Sequence, residues 1–137
     1  MINHLSILLI DDDEDEKIIF CEVLDSLHLQ LQFTWKASCE KAIEWLNVES
    51  PDIIFLDLDM PATNGYESLE QLRKRSGLQK TPIFIYSNTV SSFIRNKALA
   101  GGATDAIPKL SGIRAMAQVI HHCFQKYLFS GNHLQST

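Results

Sequence analysis

Asp11 and Asp12 open a run of six consecutive acids, Asp11-Asp12-Asp13-Glu14-Asp15-Glu16, directly after the apolar segment Ser6 to Ile10. Asp57 closes a second apolar segment and stands two residues before Asp59. Ser87 closes a third, and Lys109 follows a fourth. Carboxylates brought close together repel unless something positive lies between them. Lys109 can neutralise one of them. A hard divalent ion can neutralise more, and Mg²⁺ is typically held by one or two carboxylates together with waters and a phosphate. An aspartate beside such an ion, with an ammonium and a hydroxyl ready for phosphoryl oxygens, suits the making and breaking of an acyl phosphate. Phosphoryl transfer asks mainly for positioning and charge neutralisation.

Each residue also has a plainer reading. Acids in a first helical turn are favourable with the helix dipole by about 0.3–1 kcal/mol, and one of them can cap the helix. That accounts for Asp13 to Glu16 as a cap and a solvated face. It leaves Asp11 and Asp12, which reach back to the strand end, unexplained. An acid closing an apolar strand, as Asp57 does, is costly unless a site uses it. Ser87 and Lys109 say little singly; at successive strand ends they belong together.

The elements that must position these groups follow from hydrophobic periodicity. Ser6–Ile10, Asp52–Leu56 and Pro82–Tyr86 are compact apolar runs of the kind found in strands buried on both faces. Leu31–Trp35 and Asp105–Ile107 are weaker strands. Between them lie amphipathic stretches: Asp15–Leu27, with a stripe of Ile19, Phe20, Val23, Leu24 and Leu27; Glu40–Val48; Gly65–Lys74; and Ser91–Leu99, which stops at Gly101-Gly102. A last helix starts near Ser111, its stripe running Ile113, Met116, Ala117, Ile120, Phe124 and Tyr127. Strict alternation of strand and helix predicts an α/β fold, a parallel sheet with helices on both faces. Ligands of such sheets bind beyond the carboxyl ends of the strands, where the strand order reverses.

Length and composition bound the rest. A chain of 137 residues with 45% hydrophobic and 21% charged content is one ordinary globular domain. We read it as residues 1–129, followed by a short polar tail, 130–137 (SGNHLQST). The initiating Met and that tail are what a complete protein would show. With 17 acidic against 12 basic residues and a net charge of −5, no cationic surplus exists to bind a nucleic-acid backbone. No apolar run approaches a membrane span, and the N-terminus lacks the basic leader of a secretory signal. The expected location is the cytoplasm. Cys21, Cys39 and Cys123 are odd in number and lack metal-ligand spacing, so buried thiols in a reducing compartment are expected. His121-His122-Cys123 has ligand types, but adjacent helical residues point about 100° apart. Trp35 and Trp45 read as core or rim fillers; Phe93, Ile94 and Tyr127 are candidates for a partner-facing surface.

The stretches ILLIDDDED, IIFLDLDMPATNGYESLEQLR, PIFIYSN and AGGATDAIPKL, taken in order, resemble the receiver domain of two-component response regulators, and the resemblance covers about residues 5 to 128. It implies a flavodoxin-like (βα)5 doubly wound five-stranded sheet of order 2-1-3-4-5, of the stand-alone, chemotaxis-regulator-like kind. It implies that Asp57 is the phosphoacceptor and that Asp11 and Asp12 form the Mg²⁺ pocket. Asp12, Asp57 and the backbone carbonyl of Asp59 would be ligands. Ser87 would hydrogen-bond a phosphoryl oxygen, Lys109 would pair with the phosphoryl group, and Pro61 and Gly65 would shape the loop after the third strand. The phosphoryl group would come from a sensor histidine kinase, a histidine phosphotransfer domain or acetyl phosphate. Transfer and later autodephosphorylation would depend on Mg²⁺. The output would be a changed protein-interaction surface for a downstream target, without enzymatic turnover.

Two positions depart from that pattern. An aromatic residue common on the fifth strand is Ala106 here, so no swinging ring is available there as an output device. The lysine is followed by Leu110 in place of proline, and a cis bond at a non-proline costs about 3 kcal/mol, so a trans 109–110 peptide is expected. Other readings compete. The pocket residue types leave open a phosphorylation-independent adaptor. Asp57-Leu58-Asp59 fits the Asp-x-Asp motif of haloacid-dehalogenase-like phosphatases, although that motif belongs on a first strand and would leave Asp11 and Asp12 without a role. A nucleotide-binding fold is disfavoured because acids, and no glycine-rich loop, follow the first strand.

Overall fold

A computed structural model describes residues 4–61 and 63–129. The polar tail 130–137 lies outside them. Five strands alternate with five helices: β1 (Leu5–Ile10), α1 (Glu14–Asp25), β2 (Leu31–Lys36), α2 (Cys39–Leu46), β3 (Ile53–Asp57), α3 (Gly65–Arg73), β4 (Ile83–Ser87), α4 (Ser92–Ala100), β5 (Asp105–Pro108) and α5 (Ile113–Phe124). A π-helical segment, Gln125–Phe129, continues α5. All strand pairs are parallel, and the order is β2-β1-β3-β4-β5, the flavodoxin-like arrangement.

Both faces of the central strands are covered, which is why β1, β3 and β4 read as continuous apolar runs. One core lies under α1 and α5. It holds Ile7, Leu9, Phe20, Phe55, Phe84, Tyr86, Met116, Ile120 and Phe124. Within it Phe20 stacks against Phe33 and meets Phe55 at 5.1 Å and Tyr86 at 5.7 Å between ring centroids. Alternate residues of the same strands, Leu8, Ile10, Ile54, Leu56, Ile83, Ile85 and Ala106, face a second core completed by α2, α3 and α4. Tyr127 packs edge-on against Phe84 and so serves the first core.

Caps set most of the helix starts. Asp13, Ser38, Asn64 and Ser91 have extended backbones and accept backbone N–H bonds from the first turns of α1, α2, α3 and α4. Ser91 is therefore a cap, where periodicity placed it inside the helix. The helix α1 ends at Asp25, and Leu27 follows in a turn. Ile19 departs from its expected inward stripe: half of its surface is exposed, like that of Ile18 beside it. Ile113 too is exposed. Cys39 and Cys123 are buried free thiols, Cys21 is half-buried, and burial pushes the Cys123 thiol up to about 12. His121, His122 and Cys123 splay apart, the last into the core and the middle one into solvent.

Candidate functional site

The chain steps from β1 outward to β2, then back across to β3, so the reversal falls between β1 and β3. A ligand site is expected at the carboxyl ends of those two strands. Asp11 follows β1 there, and Asp57 is the last residue of β3.

Asp11 is fully buried. Its Oδ1 accepts the Asp13 backbone N–H at 3.0 Å, while its backbone carbonyl accepts Trp35 Nε1 at 2.6 Å. Its Oδ2 is buried without a hydrogen-bond partner among the described residues. Burial, offset in part by the Asp13 N–H and then reinforced by the charge of Asp57, pushes its carboxyl up to about 7. Asp12 is exposed, yet one oxygen from each of Asp11, Asp12 and Asp57 lies within 4.8 Å of the others. Three hard oxygen donors, one of them buried and unsatisfied, fit a small divalent cation such as Mg²⁺.

Asp57 is nearly inaccessible, and its Oδ1 accepts two bonds, from the Asp59 backbone N–H at 2.8 Å and from Lys109 Nζ at 2.9 Å. Lys109 arrives because β5 runs beside β4 and its backbone N–H donates to the Ser87 carbonyl. The ammonium is largely enclosed and also lies 3.5 Å from Asp59 Oδ2 and 3.6 Å from Glu16 Oε1. Burial pulls its pKa down, but the hydrogen bond and charge of Asp57, with Glu16 and Asp11, outweigh that and leave it above the ordinary lysine value. Lys109 is thus held protonated.

Ser87 Oγ donates to Asp59 Oδ1 at 2.9 Å, and the Asn88 N–H donates to Asp59 Oδ2 at 2.8 Å. The Asp59 carboxylate is consequently occupied by β4 and its loop. Asp12, Asp57, Asp59, Pro61, Asn88 and Lys109 line one open, polar cleft. Ala106 is buried in the second core, with Val90 packed against that core from the loop after β4. The 109–110 peptide is trans, as is every described peptide bond.

All of Asp11, Asp12, Asp57, Asp59, Ser87 and Lys109 therefore meet at one rim. Three participants escaped the sequence reading. Glu16, assigned there to a solvated face, pairs with Lys109; its signal was its place one helical turn beyond Asp12. Tyr86 lies with its ring 5.0 Å from Lys109 Nζ and its hydroxyl 3.4 Å from Glu16 Oε2. The third is the role of the Asp59 side chain as resting partner of Ser87 and Asn88, since outside the phosphatase alternative the resemblance gave Asp59 only its carbonyl.

A family model described as "Response regulator receiver domain" matches residues 7–121. The Regulator of RpoS of Escherichia coli (strain K12) is 28% identical over 127 residues, covering 90% of this chain and 36% of that protein. The chain thus spans about a third of that curated relative's length. The two-component response regulator ORR5 of Oryza sativa subsp. japonica is 31% identical over 104 residues, with 75% of this chain and 76% of that protein covered. Among solved structures, response regulator RPA3017 of R. palustris superposes with a TM-score of 0.83 at 17% identity, over 93% of this chain and 96% of that one. The receiver domain of sensor histidine kinase PA1611 from Pseudomonas aeruginosa PAO1, with magnesium in its active-site cleft, gives 0.75 at 20% identity, over 93% and 100%.

Proposed function

This chain belongs to the response regulator receiver family, and we propose that it accepts a phosphoryl group on Asp57 and signals through the surface change that follows. The observation that carries this is the Lys109 ammonium 2.9 Å from Asp57 Oδ1, with Asp11 and Asp12 converging on the same carboxylate.

A carboxylate oxygen of Asp57 attacks phosphorus, and the bond from phosphorus to the donor breaks. The electron pair leaves with the imidazole of a phosphohistidine, or with acetate when acetyl phosphate is the donor. Lys109, held protonated, offsets charge on the phosphoryl oxygens. Ser87 exchanges its bond to Asp59 for one to a phosphoryl oxygen. Asp11, Asp12, Asp57 and the Asp59 carbonyl would hold Mg²⁺, which supplies charge neutralisation at the transferring group. Hydrolysis reverses the modification: water attacks phosphorus, inorganic phosphate departs and the carboxylate returns.

The donor is a histidine kinase or histidine phosphotransfer domain, and the receiver unit is residues 1–129. Cytoplasmic location fits these partners, and among the described residues no helix is long and apolar enough to cross a membrane. The haloacid-dehalogenase-like alternative would need Asp59 free for proton transfer, whereas Ser87 and Asn88 hold both of its oxygens.

Incubation with acetyl phosphate and Mg²⁺ followed by intact-mass measurement tests the proposal. One base-labile phosphoryl adduct on the wild type and none on Asp57→Ala is the expected result. An unmodified wild type would remove the phosphoacceptor role and leave the adaptor reading.

A further inference from the structure

Glu16 is absent from the set that the acyl-phosphate chemistry requires, yet it touches that set at Lys109 and also meets Tyr86, the neighbour of Ser87. Its Oε1 is 3.6 Å from Lys109 Nζ, and its Oε2 is 3.4 Å from the hydroxyl of Tyr86. Tyr86 is almost completely buried on β4, immediately before Ser87, and its ring lies 5.0 Å from the same ammonium. Lys109, Glu16 and Tyr86 thus form a closed triangle between the phosphorylation site and the first turn of α1. They also line one cleft of about 320 Å³ that continues between α1 and the start of α5, past Ile19, Leu110, Gly112 and Met116.

Resting on the reading of Asp57 as phosphoacceptor, we propose that Glu16 is a positioning residue, the resting counter-ion that shares Lys109 with Asp57 and latches α1 to the site through Tyr86. One ammonium faces three carboxylates, Asp57, Asp59 and Glu16, the first of them closest. A phosphoryl group on Asp57 replaces the single charge of the carboxylate with about two on the phosphoryl oxygens, a net gain of about one that also projects further into the cleft, which draws Lys109 inward. Glu16 is then left with an anionic neighbour and loses its cation. Electrostatics that closed the latch now open it, and the freed element is the N-terminal half of α1, which carries the exposed Ile19. The fifth strand carries Ala106, so the large side chain next to the strand-terminal hydroxyl is Tyr86, which faces α1 and α5. The surface responding to phosphorylation is accordingly the α1–α5 side of the cleft.

Glu16→Gln removes the charge at nearly constant shape, and Tyr86→Phe removes only the hydroxyl. Wild type and both variants are incubated with acetyl phosphate and Mg²⁺, with adduct formation followed by mass and amide hydrogen exchange followed across residues 14–20. In the wild type, exchange of that segment rises with adduct occupancy. Glu16→Gln forms adduct several-fold faster at low donor concentration, because a competing carboxylate is gone, and its α1 exchange is already high and unresponsive. Tyr86→Phe shows the same exchange behaviour at smaller amplitude. A wild type that takes up the phosphoryl group, with variants matching it in rate and in α1 response, overturns the latch and leaves the phosphoacceptor intact. A wild type that takes up none overturns both.

Discussion

Asp11 is fully enclosed, has one oxygen unsatisfied among the described residues and faces Asp57. An unfolded aspartate loses its proton near pH 4, whereas folded Asp11 keeps it to about 7. Between those values the native state binds the additional proton, so stability falls as pH rises. Without divalent cations, the melting temperature of the wild type is expected to drop between pH 5 and 7.5. Asp11→Asn removes that slope and is more stable than wild type at pH 7.5, by about 1–3 kcal/mol. Parallel melting curves for the two proteins would contradict this. Mg²⁺ competes with the proton, so millimolar Mg²⁺ raises wild-type stability more at pH 7.5 than at pH 5. Asp12→Ala loses that gain; equal gains in both proteins would argue against a metal pocket. The acids at strand ends were legible in the sequence because a charge closing an apolar run has few innocent explanations. Glu16 was not, since an acid in a first helical turn has a good one, and only the rotation of α1 over the sheet decides which way it points.

Two connections between elements fix the rim. Gly65 starts α3 directly beneath the loop after β3; an added Cβ would lie 2.7 Å from Leu58 Cδ1 and 3.2 Å from Leu58 Cα. The backbone contact cannot relax without moving Leu58, which lies between Asp57 and Asp59. Gly65→Ala is therefore expected to slow adduct formation more than it lowers stability, read by mass and by thermal melting on the same samples. Arg73 ties the far end of α3: Nε donates to the Gly102 carbonyl at 2.8 Å, and Nη1 to the carbonyls of Leu78 and Thr81 at 2.6 Å each. Its removal strands three carbonyls, so Arg73→Met should cost about 2–4 kcal/mol in denaturant unfolding while sparing the phosphorylation rate. A loss below about 0.5 kcal/mol would show that water replaces the guanidinium. The strands and most helices were readable because β1, β3 and β4 are apolar on both faces. Ends were less so. Ser91 and Leu27 sit where capping and turn geometry override periodicity, and Arg73 drew no reading because its acceptors are backbone groups from distant loops.

At the scale of the molecule, a net charge of −5 and a rim of carboxylates oppose any anionic donor, so a protein that delivers a phosphoryl group must gain its affinity elsewhere. Two apolar side chains are exposed beside the rim. Ile19, 50% exposed, and Leu110, 43% exposed, flank the cleft that contains Lys109, and neither touches the reacting groups. The departure from proline at position 110 thus places a second large side chain beside the mouth of the site. A donor domain covering both side chains removes apolar area from water at about 25 cal/mol per Å², and central apolar anchors of this kind dominate interface energy. Acetyl phosphate needs no such contact. Ile19→Ser and Leu110→Ser are therefore expected to label with acetyl phosphate at close to the wild-type rate, yet to accept phosphoryl groups from a phosphorylated histidine phosphotransfer domain about tenfold more slowly or worse. Raising salt should not restore the loss, because screening acts on the charges and leaves the missing apolar contact unrepaired. Equal slowing with both donors would place the defect in the rim itself, and no slowing with either would move the docking surface away from α1 and Leu110.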